Sequence, residues 1–134
     1  MALDPSRLKS IALFESLSDQ DLRAIAAFAE EVRVPEGEPL VKEGQFSYEF
    51  FAIEEGSAEV LRGGEHVADL GAGDFFGEIG LLERELRTAT VVAKSDMRLI
   101  TLTGWDMKRM EKQMPEVVEE LRRVLEQRKP PEDG

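Results

Sequence analysis

Apolar residues recur at helical spacing near both ends of the chain. In the N-terminal part they predict a helix that begins after Ser18, whose hydroxyl can accept a hydrogen bond from the Asp21 N–H, with a shorter helical turn upstream over 5–14. A short helix is predicted from Gly104 to a stop near Pro115, and a last helix follows it. The residues that share one face are Leu17, Leu22, Ile25, Ala26 and Phe28 in the first helix, and Val117, Val118, Leu121, Val124 and Leu125 in the last.

Between the predicted helices, the pattern changes to short β-type runs that are separated by glycine. The clearest runs cover 50–53, 58–61, 67–70, 89–93 and 97–102. Short strands at intervals of about 8 to 12 residues, with turn signals between them, favour an antiparallel sandwich, barrel or jelly roll. The sequence therefore predicts a mainly β structure over about 32–103 with flanking helices.

Three aromatic positions and the single histidine carry simple structural expectations. Phe75 and Phe76 are expected to fill the core of the barrel, and Trp105 to anchor the helix that follows it. His66 lies next to a glycine-rich turn and is expected to be an exposed hairpin residue.

Composition and charge remove several classes of function. The 134 residues include 28 acidic and 17 basic side chains, for a net charge of −11, so we expect no direct binding to nucleic acid. The absence of cysteine and the single histidine disfavour thiol chemistry, multi-histidine metal sites and most classes of enzyme. No apolar run approaches the ~20 residues of a membrane span, and the first residues do not resemble a secretory signal. We therefore expect a cytoplasmic protein that does not enter a membrane.

One stretch departs from the rhythm of strands and turns. Residues 76–82 read FGEIGLL, and residues 87–93 read RTATVVA. The glycines at 71, 73 and 77 do not have the spacing of a dinucleotide-binding motif, and no strand-helix-strand unit surrounds them. Backbone N–H groups at the start of a helical turn, together with the Arg87 guanidinium, can bind a phosphate. The glycine-flanked Glu78 can accept a hydrogen bond from a ribose hydroxyl, or it can form only a structural ion pair with Arg87.

These residues resemble the phosphate-binding cassette of the cyclic nucleotide-binding domain, which occurs in bacterial catabolite-type regulators, cyclic-nucleotide-dependent kinases and cyclic-nucleotide-gated channels. The resemblance implies that Glu78 binds the ribose 2′-hydroxyl and that Arg87 pairs with the cyclic phosphate. It also implies an eight-stranded antiparallel jelly-roll barrel with N-terminal and C-terminal helices. The implied ligand is cyclic AMP or cyclic GMP, and the implied ligand-binding residues are Gly77, Glu78, Ile79, Gly80, Arg87, Thr88 and Ala89.

The position of Thr88 leaves the choice of base open. A hydroxyl-bearing residue after the arginine is similar to family members that accept cyclic GMP, but many of those members also bind cyclic AMP. A plain strand threonine, satisfied by the backbone, is an equally simple interpretation.

The resemblance extends over about 11–128, and we expect one domain over 1–134. The barrel is expected over about 32–103, the C-terminal helices over about 104–128, and a polar, proline-rich tail over 129–134. In the family the last helix both covers the purine and transmits the signal. The implied protein is a stand-alone, non-enzymatic sensor that acts through an unidentified effector protein or as a homodimer.

Three other functions compete with this interpretation. An interaction module could keep the fold with a vestigial pocket that no longer binds nucleotide. A cupin-type metalloenzyme would need more histidines than this chain offers. A DNA-binding regulator would need a basic surface and a recognition helix, which the sequence does not predict.

Overall fold

The first two helical elements begin where the sequence predicts, although the upstream one ends at Ser10 and not near Phe14. The computed structural model describes residues 3–11, 14–47, 49–77 and 85–127. A 3-10 helix covers Pro5–Ser10, and the Asp4 carboxylate caps it by accepting a hydrogen bond from the Ser6 N–H. Helix α1 covers Asp19–Ala26 and begins where the Ser18 hydroxyl accepts from the Asp21 N–H at 3.1 Å, which confirms the predicted cap.

Ten strands follow in the described part of the chain, and all of their pairings are antiparallel. The strands are β1 Glu30–Val34, β2 Pro39–Val41, β3 Phe46–Ser47, β4 Glu49–Glu55, β5 Ala58–Arg62, β6 Glu65–Leu70, β7 Phe75–Phe76, β8 Glu85–Leu86, β9 Thr90–Ala93 and β10 Met97–Thr103. One sheet has the order β1-β10-β4-β7, a second has the order β2-β9-β5-β6, and β3 pairs with β8. The mainly β architecture with flanking helices is therefore confirmed. Closure into an eight-stranded barrel stays a prediction, because this pairing gives two four-stranded sheets and a separate pair.

Alternation along β4 and β10 creates two cores on opposite sides of the first sheet. Phe51 and Ile53 of β4 face the second sheet, where they join an inner core of residues from both sheets. Phe50 and Ala52 face the other way and join an outer core under the helices. The prediction that Phe75 and Phe76 both fill the barrel was wrong for Phe75. Only Phe76 packs in the inner core, whereas Phe75 packs against the outer one, because successive strand residues point to opposite faces.

Two helices follow the last strand directly. Helix α2 covers Gly104–Gln113, and helix α3 covers Pro115–Gln127, so the predicted break at Pro115 is confirmed. Val118 and Leu121 of α3 are buried in the outer core, beside residues of the N-terminal helices. Trp105 was expected to anchor α2, but its side chain is 62% exposed and lies beside Lys108, whose Nζ is 5.1 Å from the ring centroid. No helix among the described residues is long and apolar enough to span a bilayer.

Candidate functional site

The two halves of the predicted cassette lie at the ends of two short strands. Gly77 follows β7, and Arg87, Thr88 and Ala89 lie between β8 and β9. Glu78, Ile79 and Gly80 fall outside the described residues. The described candidate ligand-binding residues of the cassette are therefore Gly77, Arg87, Thr88 and Ala89.

The backbone of Arg87 is fixed on both sides by the turn before β3. The Arg87 N–H donates to the Gln45 carbonyl at 2.9 Å, and the Arg87 carbonyl accepts from the Gly44 N–H at 2.8 Å. These two bonds continue the pairing in which Phe46 of β3 faces Leu86 of β8. The direction in which the Arg87 side chain leaves the backbone is thus set by a pairing that is distant in sequence.

The Arg87 side chain is buried, with 4% of the residue exposed. Its Nη2 donates a hydrogen bond to the backbone carbonyl of Glu49 at the start of β4. A guanidinium held in this way is a suitable partner for a phosphate, because its planar array of donors can bind two phosphate oxygens at once.

Gly77 lies directly against this guanidinium, although ten positions separate the two residues in sequence. A Cβ atom on Gly77 would be 2.8 Å from Nη1 and 3.0 Å from Nη2 of Arg87. The structure therefore brings together two of the residues that the sequence assigned to ligand binding.

Thr88 and Ala89 have opposite surroundings. The Thr88 side chain is exposed, and its backbone carbonyl accepts from the Arg62 Nε at 3.3 Å. Ala89 is fully buried, and its methyl group packs in the inner core with Val91. Of the two side chains, only that of Thr88 is open to a molecule outside the core.

Two side-chain contacts that the sequence did not predict hold the segment after Arg87. The Glu43 N–H donates to the Thr90 hydroxyl at 3.0 Å, and the Glu43 carboxylate accepts from the Gly63 N–H at 2.9 Å. Glu43 therefore joins the β2–β3 turn to the first residue of β9 and to the β5–β6 hairpin. Nothing in the sequence specifies these partners.

The exposed histidine belongs to a separate surface. His66 is half exposed, as predicted, and its Nδ1 lies 2.8 Å from the Glu59 carboxylate. This contact, with the neighbouring Lys94, lowers the pKa of Glu59 below its ordinary value. In the described parts of the chain, no three acidic, histidine or cysteine side chains are grouped so that they could hold a metal ion.

Comparison with known proteins identifies the family to which the chain is similar. Residues 31–113 match the family model described as the cyclic nucleotide-binding domain. The chain is 38% identical over 87 residues to a cGMP-dependent protein kinase of Eimeria tenella, which is 65% of this chain and 9% of that protein. It is 31% identical over 126 residues to a cyclic nucleotide-gated potassium channel of Rhizobium etli, which is 92% of this chain and 35% of that protein.

A solved structure gives the same result for the fold. The chain is similar to the N-terminal domain of a transcriptional regulator from Streptomyces coelicolor, with a TM-score of 0.82 and 27% identity over 91% of this chain and 89% of that one. The chain spans about a third or less of the curated relatives named above, so the domain occurs there as one part of a larger protein. The match to the family model over 31–113, together with the fold, shows that this chain belongs to the cyclic nucleotide-binding domain family.

Proposed function

We propose that this protein is a regulatory module that binds cyclic AMP or cyclic GMP at the site formed around Arg87. Arg87 pairs with the cyclic phosphate, and Glu78 accepts a hydrogen bond from the ribose 2′-hydroxyl. Gly77, Ile79 and Gly80 contribute backbone N–H groups, and Thr88 and Ala89 lie beside the ligand. Glu78, Ile79 and Gly80 enter this proposal from the family motif alone, since they lie outside the described residues.

The observation that carries the proposal is the buried, anchored guanidinium of Arg87. Burying a cation is costly unless hydrogen bonds or an opposite charge compensate it. The chain places Arg87 at 4% exposure, bonds its guanidinium to the Glu49 carbonyl and fixes its backbone through Gly44 and Gln45. A guanidinium that is held before the ligand arrives loses little side-chain entropy on binding. This arrangement favours recognition of a phosphate over a role for Arg87 as one more surface charge.

Signal output is proposed to pass through the helices that follow Thr103. Met107 and Met110 of α2 and Leu121 of α3 pack in the outer core, which also contains residues from the N-terminal helices. Closure of the C-terminal helices over the occupied site would change the surface that a partner meets. The ligand can shift this equilibrium only by the difference in its affinity for the open and closed states. The output partner is then an effector protein, a second copy, or the rest of a larger cytoplasmic protein, and the module itself is not an enzyme.

Thermal melting tests the proposal directly. The protein is melted with millimolar cyclic AMP and cyclic GMP, with linear AMP and GMP as controls for the cyclic phosphate. A ligand at 100 times its Kd stabilises the folded state by about 2.7 kcal/mol, which raises the Tm of a domain of this size by roughly ten degrees. A shift with a cyclic nucleotide alone supports the proposal and identifies the preferred base. The absence of a shift with either cyclic nucleotide would overturn it and favour the interaction module with a vestigial pocket.

Two substitutions then test the assigned residues. Arg87→Ala and Glu78→Ala should each weaken binding by about one to two decades, the effect of losing a hydrogen bond to a charged group. Arg33→Ala is the matched control for Arg87, because the Arg33 side chain is 71% exposed on β1 and pairs with Glu31. Titration calorimetry on the folded variants gives the affinities. Wild-type affinity in both Arg87→Ala and Glu78→Ala would show that the ligand binds elsewhere.

A further inference from the structure

Among the described glycines that adopt a positive φ, Gly77 and Gly56 are the two at which an added Cβ atom would come closer than 3.0 Å to its neighbours, and only at Gly77 do these neighbours include a candidate ligand-binding side chain. The φ of Gly77 is +81°, and a Cβ atom there would be 2.8 Å from the Glu49 carbonyl oxygen as well as 2.8 Å and 3.0 Å from the two terminal nitrogens of Arg87. Gly37 has a φ of +91°, yet a Cβ atom on Gly37 would have no neighbour within 4 Å. The left-handed backbone alone therefore explains the glycine at position 37. At position 77 a Cβ atom is also excluded because the Arg87 guanidinium and the Glu49 carbonyl occupy the space that it would need.

The space beside Gly77 is the place where Arg87 and Glu49 form their hydrogen bond. The Arg87 Nη2 donates to the Glu49 carbonyl, and the missing Cβ of Gly77 would collide with both the donor group and the acceptor. An alanine at position 77 could be accommodated only if the guanidinium or the β4 backbone moved. The guanidinium is the more easily displaced of the two, because β4 is paired on both sides, with β10 and with β7.

We propose that Gly77 is a positioning residue for Arg87. Its lack of a side chain leaves the space in which the guanidinium bonds to the Glu49 carbonyl, and this bond helps to set the orientation of the guanidinium. The effect of Gly77 on ligand affinity is then transmitted through Arg87, in addition to any backbone contact that Gly77 itself makes. The ligand-dependent part of this inference rests on the proposed function.

A double-mutant cycle in ligand affinity tests the inference. Gly77→Ala, Arg87→Ala and the double variant are titrated with whichever cyclic nucleotide stabilises the wild-type protein. Gly77→Ala is expected to weaken binding roughly tenfold or more, and to change affinity by less than about threefold once Arg87 is already alanine. Gly37→Ala is the matched control, since it carries the same backbone penalty without the collision, and it should bind as the wild type does. Losses from Gly77→Ala and Arg87→Ala that multiply in the double variant would overturn the inference, as would wild-type affinity in Gly77→Ala.

A second measurement needs no ligand. In the wild-type background, Arg87→Ala should lower the Tm, because it removes a buried side chain and its bond to Glu49. In the Gly77→Ala background, the same change removes two of the three collisions and should leave the Tm unchanged or raise it. Additive losses of Tm would overturn the inference. Failure of both Gly77→Ala and the double variant to fold would also overturn it, because the space at position 77 would then be required by the Glu49 backbone.

The two measurements separate failure of the inference from failure of the proposed function. A wild-type protein that binds neither cyclic nucleotide contradicts the proposed function, while the Tm comparison still reports whether Gly77 positions the guanidinium. A wild-type protein that binds normally, with additive effects of the two substitutions, contradicts only the role of Gly77.

Discussion

Arg7 binds the carboxylate of Glu54 through two hydrogen bonds, from Nε to Oε2 at 3.0 Å and from Nη2 to Oε1 at 2.6 Å. Arg7 lies in the 3-10 helix and Glu54 near the end of β4, so the pair joins the first helical element to the first sheet. Arg98 of β10 adds a third bond to the same carboxylate at 3.1 Å. The Glu54 side chain is only 5% exposed, which makes it an acceptor that two guanidinium groups share beneath the surface.

Neutralising this carboxylate should destabilise the protein. Glu54→Gln keeps the shape of the side chain but leaves two adjacent arginines without its charge, and we expect a loss of about 2 to 3 kcal/mol in the free energy of unfolding. Glu55→Gln is the matched control, because Glu55 also pairs with Arg98, at 2.7 Å, but its side chain is 60% exposed. The control should cost less than about 1 kcal/mol. Urea denaturation gives both values, and equal losses in the two variants would show that burial of Glu54 does not strengthen its contacts.

The same carboxylate predicts how stability depends on pH. Hydrogen bonds from Arg7 and the charges of Arg7 and Arg98 outweigh the cost of burial and lower the pKa of Glu54 below its ordinary value of 4.5. Because the pKa is lower in the folded state than in the unfolded state, the contribution of Glu54 is fully present above about pH 5 and is lost as the pH falls through the folded-state pKa.

Glu54→Gln should therefore reduce the dependence of stability on pH below about pH 5. Glu31 also has a lowered pKa, because it accepts hydrogen bonds from Arg33 and Arg7, so some dependence on pH will remain in the variant. The measurement is urea denaturation of the wild type and Glu54→Gln between pH 3.5 and 7, as estimated from that pKa window. Parallel curves over the whole range would mean that Glu54 titrates at the same pH in the folded and unfolded states.

The sequence predicts the helices and strands, but it does not predict the long-range contacts that orient the site. The Ser18 cap and the break at Pro115 depend on local chemistry, and both are confirmed. The Arg7–Glu54 pair joins positions 47 apart, and the Arg87–Glu49 bond joins positions 38 apart. Such pairs depend on how the strands fold back on one another, which hydrophobic periodicity does not specify.

The predicted site shows the same division. The motif places Gly77 and Arg87 in one cassette, but only the folded structure shows that a Cβ atom on Gly77 would collide with the guanidinium. The motif also assigns both Thr88 and Ala89 to ligand binding. In the structure, the alternation of side chains directs the Ala89 methyl group into the inner core.

Enlarging Ala89 should therefore act on stability. Ala89 is fully buried in a packed core, and Ala89→Val places two additional methyl groups there. This overpacking should lower the free energy of unfolding by about 1 to 3 kcal/mol. Ala72→Val is the control, because Ala72 is exposed in the turn before β7, and it should change stability by less than about 0.5 kcal/mol. Denaturant unfolding of the two variants makes the comparison. An Ala89→Val protein as stable as the wild type would mean that the inner core has room beside this residue.

The cap of α2 provides a test of signalling through the C-terminal helices. The Thr103 hydroxyl accepts from the Asp106 N–H at 3.1 Å, and the Asp106 carboxylate accepts from the Thr103 N–H at 2.9 Å, so the helix begins at a reciprocal capping box. Thr103→Ala should lower the free energy of unfolding by about 1 kcal/mol. Ser18→Ala removes the cap of α1 and should lower the free energy of unfolding by a similar amount. The two variants are therefore matched in stability.

The two capping variants should differ in their affinity for the ligand. If the helices after Thr103 close over an occupied site, fraying of the first turn of α2 makes the closed state less populated, and the apparent affinity falls by the same fraction. We therefore expect Thr103→Ala to bind cyclic nucleotide a few-fold more weakly than Ser18→Ala, whereas Ser18→Ala binds as the wild type does. Titration calorimetry at a temperature where both variants are fully folded makes the comparison. Equal affinities would show that the cap only stabilises the fold and that ligand binding is not coupled to the start of α2.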